Sequence, residues 1–125
     1  MNIPADLSYT KEHEWIIVDG DIATVGITDF AQGELGDVVF VEIETVGESL
    51  EQGDTFGNIE AVKTVSDLYM PVAGEVIELN EKLNDSPELV NTDPYGDGWM
   101  IKIKISDKSG LKDLLSAEDY KSLIG

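Results

Sequence analysis

Short apolar runs separated by glycine-containing turns dominate the chain and predict mainly β-strands. Residues 13–18 are rich in aromatic and β-branched side chains, and residues 21–27 follow them after the pair Asp19-Gly20. An Asp-Gly pair favours a tight hairpin, because glycine readily adopts the positive φ that the turn requires. The pattern therefore predicts a two-stranded ribbon over residues 13–27.

Five later segments also have strand character: residues 38–43, 54–61, 64–70, 75–79 and 99–105. The last two alternate apolar with polar positions, as half-buried strands do. Val62-Lys63 lacks the Gly or Asn that a primed hairpin turn favours, so the residues alone leave open one continuous strand or a non-primed turn. Strands this short are typical of sandwiches and barrels.

Helical signals are short and lie between or after these strands. Thr28 is suited to cap a helix over residues 29–35, and Gly36 is suited to end it in a left-handed conformation. A serine followed by proline predicts another short helix over residues 86–91. Leucine spacing and a capping box predict helical structure over residues 111–124. Residues 1–12 are mostly polar, and we expect them to lie as an arm against the domain.

The composition limits the partners and the location of the protein. A length of 125 residues suits one domain over residues 1–125, and 42% hydrophobic residues suffice for one core. The net charge of −18 repels phosphate backbones and anionic lipids, so we expect no nucleic-acid or membrane partner. No apolar run approaches the ~18 residues of a membrane span, and no signal pattern is present. We therefore expect a cytoplasmic protein, and a monomer.

Lys63 is the side chain that most needs an explanation. It is the only lysine between Lys11 and Lys82, and it lies between two apolar runs. A lysine that serves solubility usually has similar neighbours, so this isolation favours a use of its amine, although a solvated lysine is the ordinary alternative. The chain has one histidine, no cysteine and no metalloprotease or phosphate-loop motif. We therefore predict no metal site and no independent catalysis.

The sequence around Lys63 resembles the lipoylation site of the glycine cleavage system H proteins. Residues 59–67 read Ile-Glu-Ala-Val-Lys-Thr-Val-Ser-Asp, and residues 70–76 read Met-Pro-Val-Ala-Gly-Glu-Val. Four further segments are similar to landmarks of the same family: residues 13–15, 25–28, 35–41 and 94–101. The resemblance therefore extends over nearly the whole chain.

This resemblance implies a mainly β barrel-sandwich hybrid of the lipoyl/biotinyl-carrier type. Two antiparallel sheets, short peripheral helices and a C-terminal helix are expected, with Lys63 on a hairpin turn. The resemblance also implies lipoate attached to Lys63 through an amide. Acylation would remove the lysine charge, and the long flexible arm would carry the reactive disulfide away from the scaffold. The cofactor would then supply the chemistry and the protein its delivery.

The partners implied are the enzymes of the glycine cleavage system. A pyridoxal-phosphate glycine decarboxylase would load an aminomethyl group onto the oxidised arm, and a tetrahydrofolate-dependent aminomethyltransferase would remove it with release of ammonia. Dihydrolipoyl dehydrogenase would then reoxidise the arm. Lipoate-attaching enzymes are partners of the unmodified protein.

Four other site residues follow from matching positions in the family. Glu60 and Gly74 correspond to positions that help lipoate-attaching enzymes recognise the site, although a solvated acid and a turn glycine explain them equally. Glu14 and Asp67 correspond to the region that shelters the loaded arm, where a carboxylate would hold its cationic amine. Solvated surface acids are the alternative for this pair. We assign no pocket role to Glu34.

Several alternative functions for Lys63 would require a different sequence or a different chemistry. Biotin carriers usually present their lysine between methionines, whereas Lys63 lies between Val62 and Thr64. Lipoyl domains of 2-oxoacid dehydrogenases are shorter and usually joined to flexible linkers. An H-like protein that carries lipoate for relay or for another pathway remains open. An enzyme that uses Lys63 as a Schiff-base amine would need a desolvated pocket, and the surrounding carboxylates instead favour the charged ammonium.

Overall fold

The strands of the molecule are short and are joined by tight turns or by short helices. The computed structural model describes residues 2–125, and within them the chain forms nine strands. They are β1 (Ser8–Tyr9), β2 (Glu14–Asp19), β3 (Ile22–Ile27), β4 (Val38–Glu42), β5 (Ser49–Leu50), β6 (Thr55–Ala61), β7 (Val65–Tyr69), β8 (Ala73–Leu79) and β9 (Ile101–Asp107). The predicted strands are confirmed to within two residues at each end, whereas β1 and β5 were not predicted.

These strands form two antiparallel sheets. One sheet has six strands in the order β1-β2-β3-β9-β8-β5, and the other has three in the order β4-β6-β7. Every paired neighbour runs antiparallel. The order brings strands from both halves of the chain together, since β3 pairs with β9 and β4 pairs with β6. A mainly β fold of two antiparallel sheets is therefore confirmed.

The helices cover the outside of the sheets. They are α1 (Asp29–Leu35), α2 (Lys82–Asp85), α3 (Leu89–Thr92), a 3-10 helix (Lys108–Asp113) and α4 (Ala117–Ile124). Thr28 caps α1 as predicted, because its side chain accepts a hydrogen bond from the amide of Ala31. Ser116 caps α4 in the same way, with Asp119 as the donor. None of these helices is long and apolar enough to cross a membrane.

Two helical predictions need correction. The helix predicted over residues 86–91 begins only at Leu89, because Ser86 to Glu88 form the turns that separate α2 from α3. The leucine spacing from Leu111 does not produce one continuous helix with α4. The chain there forms the 3-10 helix and then an extended segment, whose Leu115 exchanges backbone hydrogen bonds with Tyr9 at 2.8 and 2.7 Å.

The main core lies between the two sheets. It contains the inward-facing residues of β2, β3, β6, β8 and β9, and several are fully buried: Ala23, Val25, Phe56, Ile59, Val76, Ile101 and Ile103. Burial of each large aliphatic or aromatic side chain contributes about 1.5–3 kcal/mol. This core fixes the position of β6 and therefore of the turn that follows it.

A second, smaller core attaches the N-terminal arm and α4. Tyr9 and Tyr120 are fully buried and stack with ring centroids 4.8 Å apart. Trp15 lies beside them and donates its indole N–H to the carbonyl oxygen of Pro94 at 2.9 Å. The arm predicted to lie against the domain thus contributes strand β1 to the larger sheet.

Candidate functional site

Lys63 lies at the tip of the turn that joins β6 to β7. The two strands pair antiparallel up to Glu60 and Val65, and the amide of Ala61 donates to the carbonyl oxygen of Thr64 at 2.8 Å. Val62, Lys63 and Thr64 are all exposed. Of the two possibilities left by the residues alone, the turn is therefore the one that forms.

Contacts from outside the hairpin hold this turn. The amide of Val62 donates to the carbonyl oxygen of Asp37 at 3.0 Å. Asn91 fixes the segment around Asp37, because its side-chain oxygen accepts from the amide of Val38 and its nitrogen donates to the carbonyl oxygen of Gly36, both at 2.8 Å. A residue on α3 therefore helps to position Lys63.

The stem of Lys63 lies across Gly36, at the carboxyl end of α1. A β-carbon at Gly36 would lie 3.2 Å from Cε of Lys63, and Gly36 has a φ of +82°. The positive φ favours glycine at this position, and the close approach shows that the lysine stem packs on it. Within residues 2–125, ion pairs join Lys82 to Asp97 and Lys108 to Asp21, and neither includes Lys63. The amine is exposed at a turn, and this geometry fits attachment of an acyl group.

A cleft of about 400 Å³ begins beside this point and runs between α1 and the free edge of β7. Its walls are formed by Glu12, His13, Ile27, Phe30, Ala31, Glu34, Leu35, Ile59, Ser66, Asp67 and Leu68. Most of the lining is apolar, and the carboxylates of Glu12, Glu34 and Asp67 provide negative charge. Glu34, to which the sequence assigned no pocket role, therefore lies in the wall of the cleft. Leu35 directly precedes Gly36, so the cleft starts next to the stem of Lys63. Such a site suits an apolar chain that ends in a cation.

Glu14 occupies a different place from Asp67. Its side chain is only 2% exposed, and its carboxylate accepts from the amide of Tyr69 at 2.7 Å and from the hydroxyl of Thr10 at 3.2 Å. Burial raises the pKa of Glu14 to about 8. It faces a second cavity, of about 650 Å³, that Thr10 and Tyr69 also line. The structure therefore does not bring Glu14 and Asp67 into one cavity.

Glu60 and Gly74 lie on different sheets. Glu60 is exposed on β6, where it pairs with Phe40 on one side and Val65 on the other. Gly74 is buried on β8, in the sheet that does not carry Lys63. A β-carbon there would overlap the carbonyl oxygen of Lys104, so the packing of β8 on β9 by itself requires glycine.

His13 has a structural role in the wall of the cleft. It has a φ of +68°, its Nδ1 lies 2.9 Å from the hydroxyl of Tyr120, and its ring lies 5.0 Å from that of Phe30. The same hydroxyl lies 2.7 Å from the hydroxyl of Thr28, the cap of α1. These contacts join α4 to the start of α1 and so fix one wall of the cleft.

Sequence reasoning missed three residues that shape the site. Gly36 and Asp37 lie within the landmark at residues 35–41, so the motif contained a signal for them. Asn91 is part of no motif, and its support of the Lys63 turn depends on contacts with residues more than 50 positions away.

A lysine presented on the tip of a β-turn, in a domain of two antiparallel sheets, fits the class of carrier domains that hold a prosthetic group on a lysine.

Comparison with known proteins identifies the family within this class. The model of the family described as Glycine cleavage H-protein matches residues 7–125. A glycine cleavage system H protein of Bacteroides thetaiotaomicron is 64% identical over 124 residues, which cover 99% of this chain and 98% of the relative. Another, of Staphylococcus haemolyticus, is 58% identical over 125 residues, covering 100% and 99%. The crystal structure of a glycine cleavage system H protein from Mycobacterium marinum has a TM-score of 0.89 and 42% identity, covering 98% of this chain and 99% of that chain.

The chain therefore belongs to the glycine cleavage H-protein family. The resemblance stated from the motifs, the barrel-sandwich fold and the role of a lipoyl carrier in the glycine cleavage system are confirmed by this membership. The attachment of lipoate to Lys63 and the roles of the other site residues stay predictions.

Proposed function

We propose that Lys63 carries lipoate in amide linkage and that the protein is the non-catalytic carrier of the glycine cleavage system. In this role the protein passes the aminomethyl group of glycine from the pyridoxal-phosphate decarboxylase to the tetrahydrofolate-dependent aminomethyltransferase. Dihydrolipoyl dehydrogenase then reoxidises the reduced lipoyl arm. The observation that supports the proposal is the exposed amine of Lys63 at the tip of a turn, in a chain of this family. A single domain over residues 1–125, a cytoplasmic location and a monomeric state belong to the same proposal.

Lipoate attached to Lys63 would supply a disulfide, of which one sulfur takes up the aminomethyl group while the other becomes a thiol. The residues of this chain would determine where that arm rests. The cleft between α1 and β7 is suited to this, because it begins next to the stem of Lys63 and its lining is mainly apolar. Asp67, Glu12 and Glu34 place carboxylates at its walls. A cationic amine within hydrogen-bond reach of a carboxylate is stabilised more than a neutral arm is. Asp67 thus retains the docking role implied by the resemblance.

Glu14 contributes to the same site through the backbone. Its carboxyl group accepts a hydrogen bond from Tyr69, the last residue of β7, and does not line the cleft. Because β7 also carries Asp67, the contact fixes the strand that forms one wall of the cleft. Glu14 is therefore a positioning residue for the docked arm. Gly74, predicted to help recognition by lipoate-attaching enzymes, lets β8 pack closely on β9 in the sheet that does not carry Lys63, so any such role would be indirect.

The attachment site is tested by replacing Lys63. The purified protein and its Lys63→Arg variant are incubated with a lipoate-attaching ligase, lipoate and ATP, and intact mass is measured. Arginine keeps the positive charge and cannot form the amide, so the variant is expected to gain no lipoyl group. Its stability should change by less than about 0.5 kcal/mol, because the side chain is exposed.

The matched control is Lys121→Arg, which replaces another exposed lysine, on α4. This variant is expected to be lipoylated as completely as the wild type. Lipoylation of Lys63→Arg would show that a different lysine is the acceptor and would contradict the proposal.

A further inference from the structure

Among residues 2–125, His13 is the only residue other than glycine with a positive φ, and the sequence contains no other histidine. A left-handed conformation is costly for a residue with a side chain, and such strain is common where the side chain has a function. The ring of His13 lines the cleft between α1 and β7, and its Nδ1 lies 2.9 Å from the hydroxyl of Tyr120. A strained backbone therefore holds the one imidazole of the protein between a buried tyrosine and the cleft.

The hydrogen bonds around Tyr120 determine which nitrogen of His13 carries the proton. Thr28 Oγ1 accepts from the amide of Ala31 at 3.1 Å and lies 2.7 Å from the Tyr120 hydroxyl. Thr28 is fully buried, and within residues 2–125 that hydroxyl is the only acceptor for its proton. Thr28 therefore donates to Tyr120, and Tyr120 donates to Nδ1, which leaves the proton of a neutral His13 on Nε2. Burial raises the pKa of Tyr120, so its hydroxyl keeps the proton that it donates.

The Nε2–H group of His13 is a hydrogen-bond donor without a partner among residues 2–125. Because Nδ1 is turned towards the buried Tyr120, the edge of the ring that remains for the cleft is the one that carries Nε2. The other polar side chains of the lining are three carboxylates and the hydroxyl of Ser66, which donates to the carbonyl oxygen of Asp67 at 3.4 Å. His13 therefore supplies the described lining with its free donor.

This donor complements the carboxylates of the cleft. A carboxylate suits a cationic amine, whereas an N–H group suits a neutral or anionic acceptor. A lipoyl arm loaded with an aminomethyl group would contain both kinds of group, since the amide oxygen at Lys63 and the second sulfur are acceptors. We propose that His13 binds such an acceptor of the docked arm through Nε2, and that Tyr120 is the positioning residue that holds the imidazole in the required tautomer. The inference rests on the proposed attachment of lipoate to Lys63.

Tyr120 also helps to place the wall of the cleft that faces β7. Helix α1 has no buried residue, so its position depends on contacts at its ends. Thr28 provides two of them, because its amide donates to the carbonyl oxygen of His13 at 3.1 Å and its hydroxyl donates to Tyr120. Removal of the Tyr120 hydroxyl therefore acts on the imidazole and on α1 together.

The test compares Tyr120→Phe with Tyr9→Phe in the untagged protein. Each variant removes one hydroxyl from the same stacked pair of buried tyrosines, but the hydroxyl of Tyr9 donates to the carbonyl oxygen of Pro4. The 15N chemical shifts of the His13 ring are measured by NMR at pH 8, where histidine is ordinarily neutral. Wild type and Tyr9→Phe should show a protonated Nε2 and an unprotonated Nδ1. In Tyr120→Phe both shifts should move towards those of a free histidine.

The contact with the arm is measured on the wild-type protein in three forms: unmodified, octanoylated, and lipoylated and loaded from glycine by the decarboxylase. Loading is expected to shift the Nε2 resonance of His13, which a merely structural role would leave unchanged. A shift in the octanoylated form as well would identify the amide oxygen as the acceptor, because an octanoyl arm has the same linkage and no sulfur. A shift confined to the loaded form would identify the sulfur.

The functional readout is the release of ammonia from the loaded arm in the absence of the aminomethyltransferase. Tyr120→Phe should be lipoylated at the wild-type rate and should release ammonia about three- to tenfold faster, which corresponds to the loss of one hydrogen bond. Tyr9→Phe should stay within about twofold of the wild type. If Tyr120→Phe is too unstable to measure, His13→Asn takes its place, because asparagine tolerates a positive φ and lacks the imidazole.

Three results would overturn the proposal: a proton on Nδ1 in the wild type, an Nε2 resonance that loading leaves unchanged, or equal release of ammonia from the variant and from Tyr9→Phe. Failure of the proposed function looks different, because the wild-type protein would then gain no lipoyl group, or would gain it at a lysine other than Lys63.

Discussion

The two β-hairpins at Gly20 and at Lys63 are held in different ways. The first joins β2 to β3 through Asp19-Gly20, and Gly20 has a φ of +64° with open space where a β-carbon would lie. The second joins β6 to β7 and has no glycine at its tip. Its Val62 amide is bonded to Asp37, and Lys63 lies across Gly36. Local chemistry forms the first turn, whereas contacts from distant residues support the second.

This difference shows that presentation of Lys63 depends on the whole fold. A turn formed by its own residues keeps its shape wherever the strands pair. A turn that relies on Asp37 is placed correctly only when α1, α3 and β4 are in position. The orientation of Lys63 therefore depends on correct folding of the rest of the domain.

Asn91→Ala is expected to have the largest effect on the difference between the two hairpins, because Asn91 supports only the Lys63 turn. The substitution removes three hydrogen bonds, to Gln32, Gly36 and Val38, and leaves the amide of the buried Val38 without its partner. The expected loss of stability is about 2–4 kcal/mol. Hydrogen exchange of the Val62 amide should accelerate more than that of the amides in the Gly20 hairpin. Chemical denaturation and exchange measured by NMR check the two expectations.

The control for this variant is Asn84→Ala, at an exposed position on α2 that forms no side-chain hydrogen bond within residues 2–125. Its stability should change by less than about 0.5 kcal/mol. Equal acceleration of exchange in both hairpins would show that Asn91 stabilises the domain as a whole and does not support the Lys63 turn in particular.

A second effect, of intermediate size, concerns Glu14 and the far end of β7. The pKa of Glu14 is raised from 4.5 to about 8 by burial, so between these values the folded protein retains a proton that the unfolded chain has lost. Stability should therefore fall as the pH rises through this window, by up to about 1.4 kcal/mol per pH unit. Glu14→Gln imitates the protonated acid, keeps an acceptor for Tyr69, and should remove this dependence.

Denaturation at pH 5, 6, 7 and 8 measures the effect as the difference between wild type and Glu14→Gln. Lys11, Glu12 and Asp113 line the same cavity and are common to both proteins, so the difference isolates Glu14. Glu48→Gln, at an exposed position away from this cavity, serves as the control and should leave the slope unchanged. Parallel curves for wild type and Glu14→Gln would contradict the assignment.

The smallest effect is expected from Asp67→Asn, which removes one carboxylate from the cleft beside the Lys63 hairpin. Lipoylation should proceed at the wild-type rate. The loaded arm should lose its aminomethyl group by hydrolysis, to ammonia and formaldehyde, faster in the absence of the aminomethyltransferase, by up to about fivefold if the cleft stays hydrated. Asp85→Asn, an exposed acid on α2, is the control. The docking role is wrong if both variants release ammonia as slowly as the wild type.

The sequence predicted the longer strands and the helix caps because their signals are local. Alternation, Asp19-Gly20, Thr28 and Ser116 each act within a few residues. Strands β1 and β5 contain two residues each and have no periodicity to detect. The irregular segment between the 3-10 helix and α4 has a tertiary cause, since Leu115 pairs with Tyr9 across the molecule.

At the site, the motif predicted Lys63 and its turn but not the environment of the acids. Glu14 and Asp67 were assigned together because both matched one region of the family, yet their environments differ in burial and in cavity. Whether a carboxyl group is buried depends on packing between the sheets, which no local pattern describes. The exposure of Phe40 also depends on packing that no local pattern describes, because this residue belongs to an apolar run and is nevertheless half exposed.

The position of the Lys63 side chain beside the end of α1 links its modification to its conformation. Helix α1 has no basic residue in its last turn, and the ammonium group of Lys63 lies beside its carboxyl end, with Nζ 3.8 Å from where a β-carbon of Gly36 would stand. A cation at that end is attracted by the helix dipole. The proposed acylation would turn the ammonium into a neutral amide and so would end this attraction. The unmodified side chain would then rest beside α1, and the modified one would be free to move away from it.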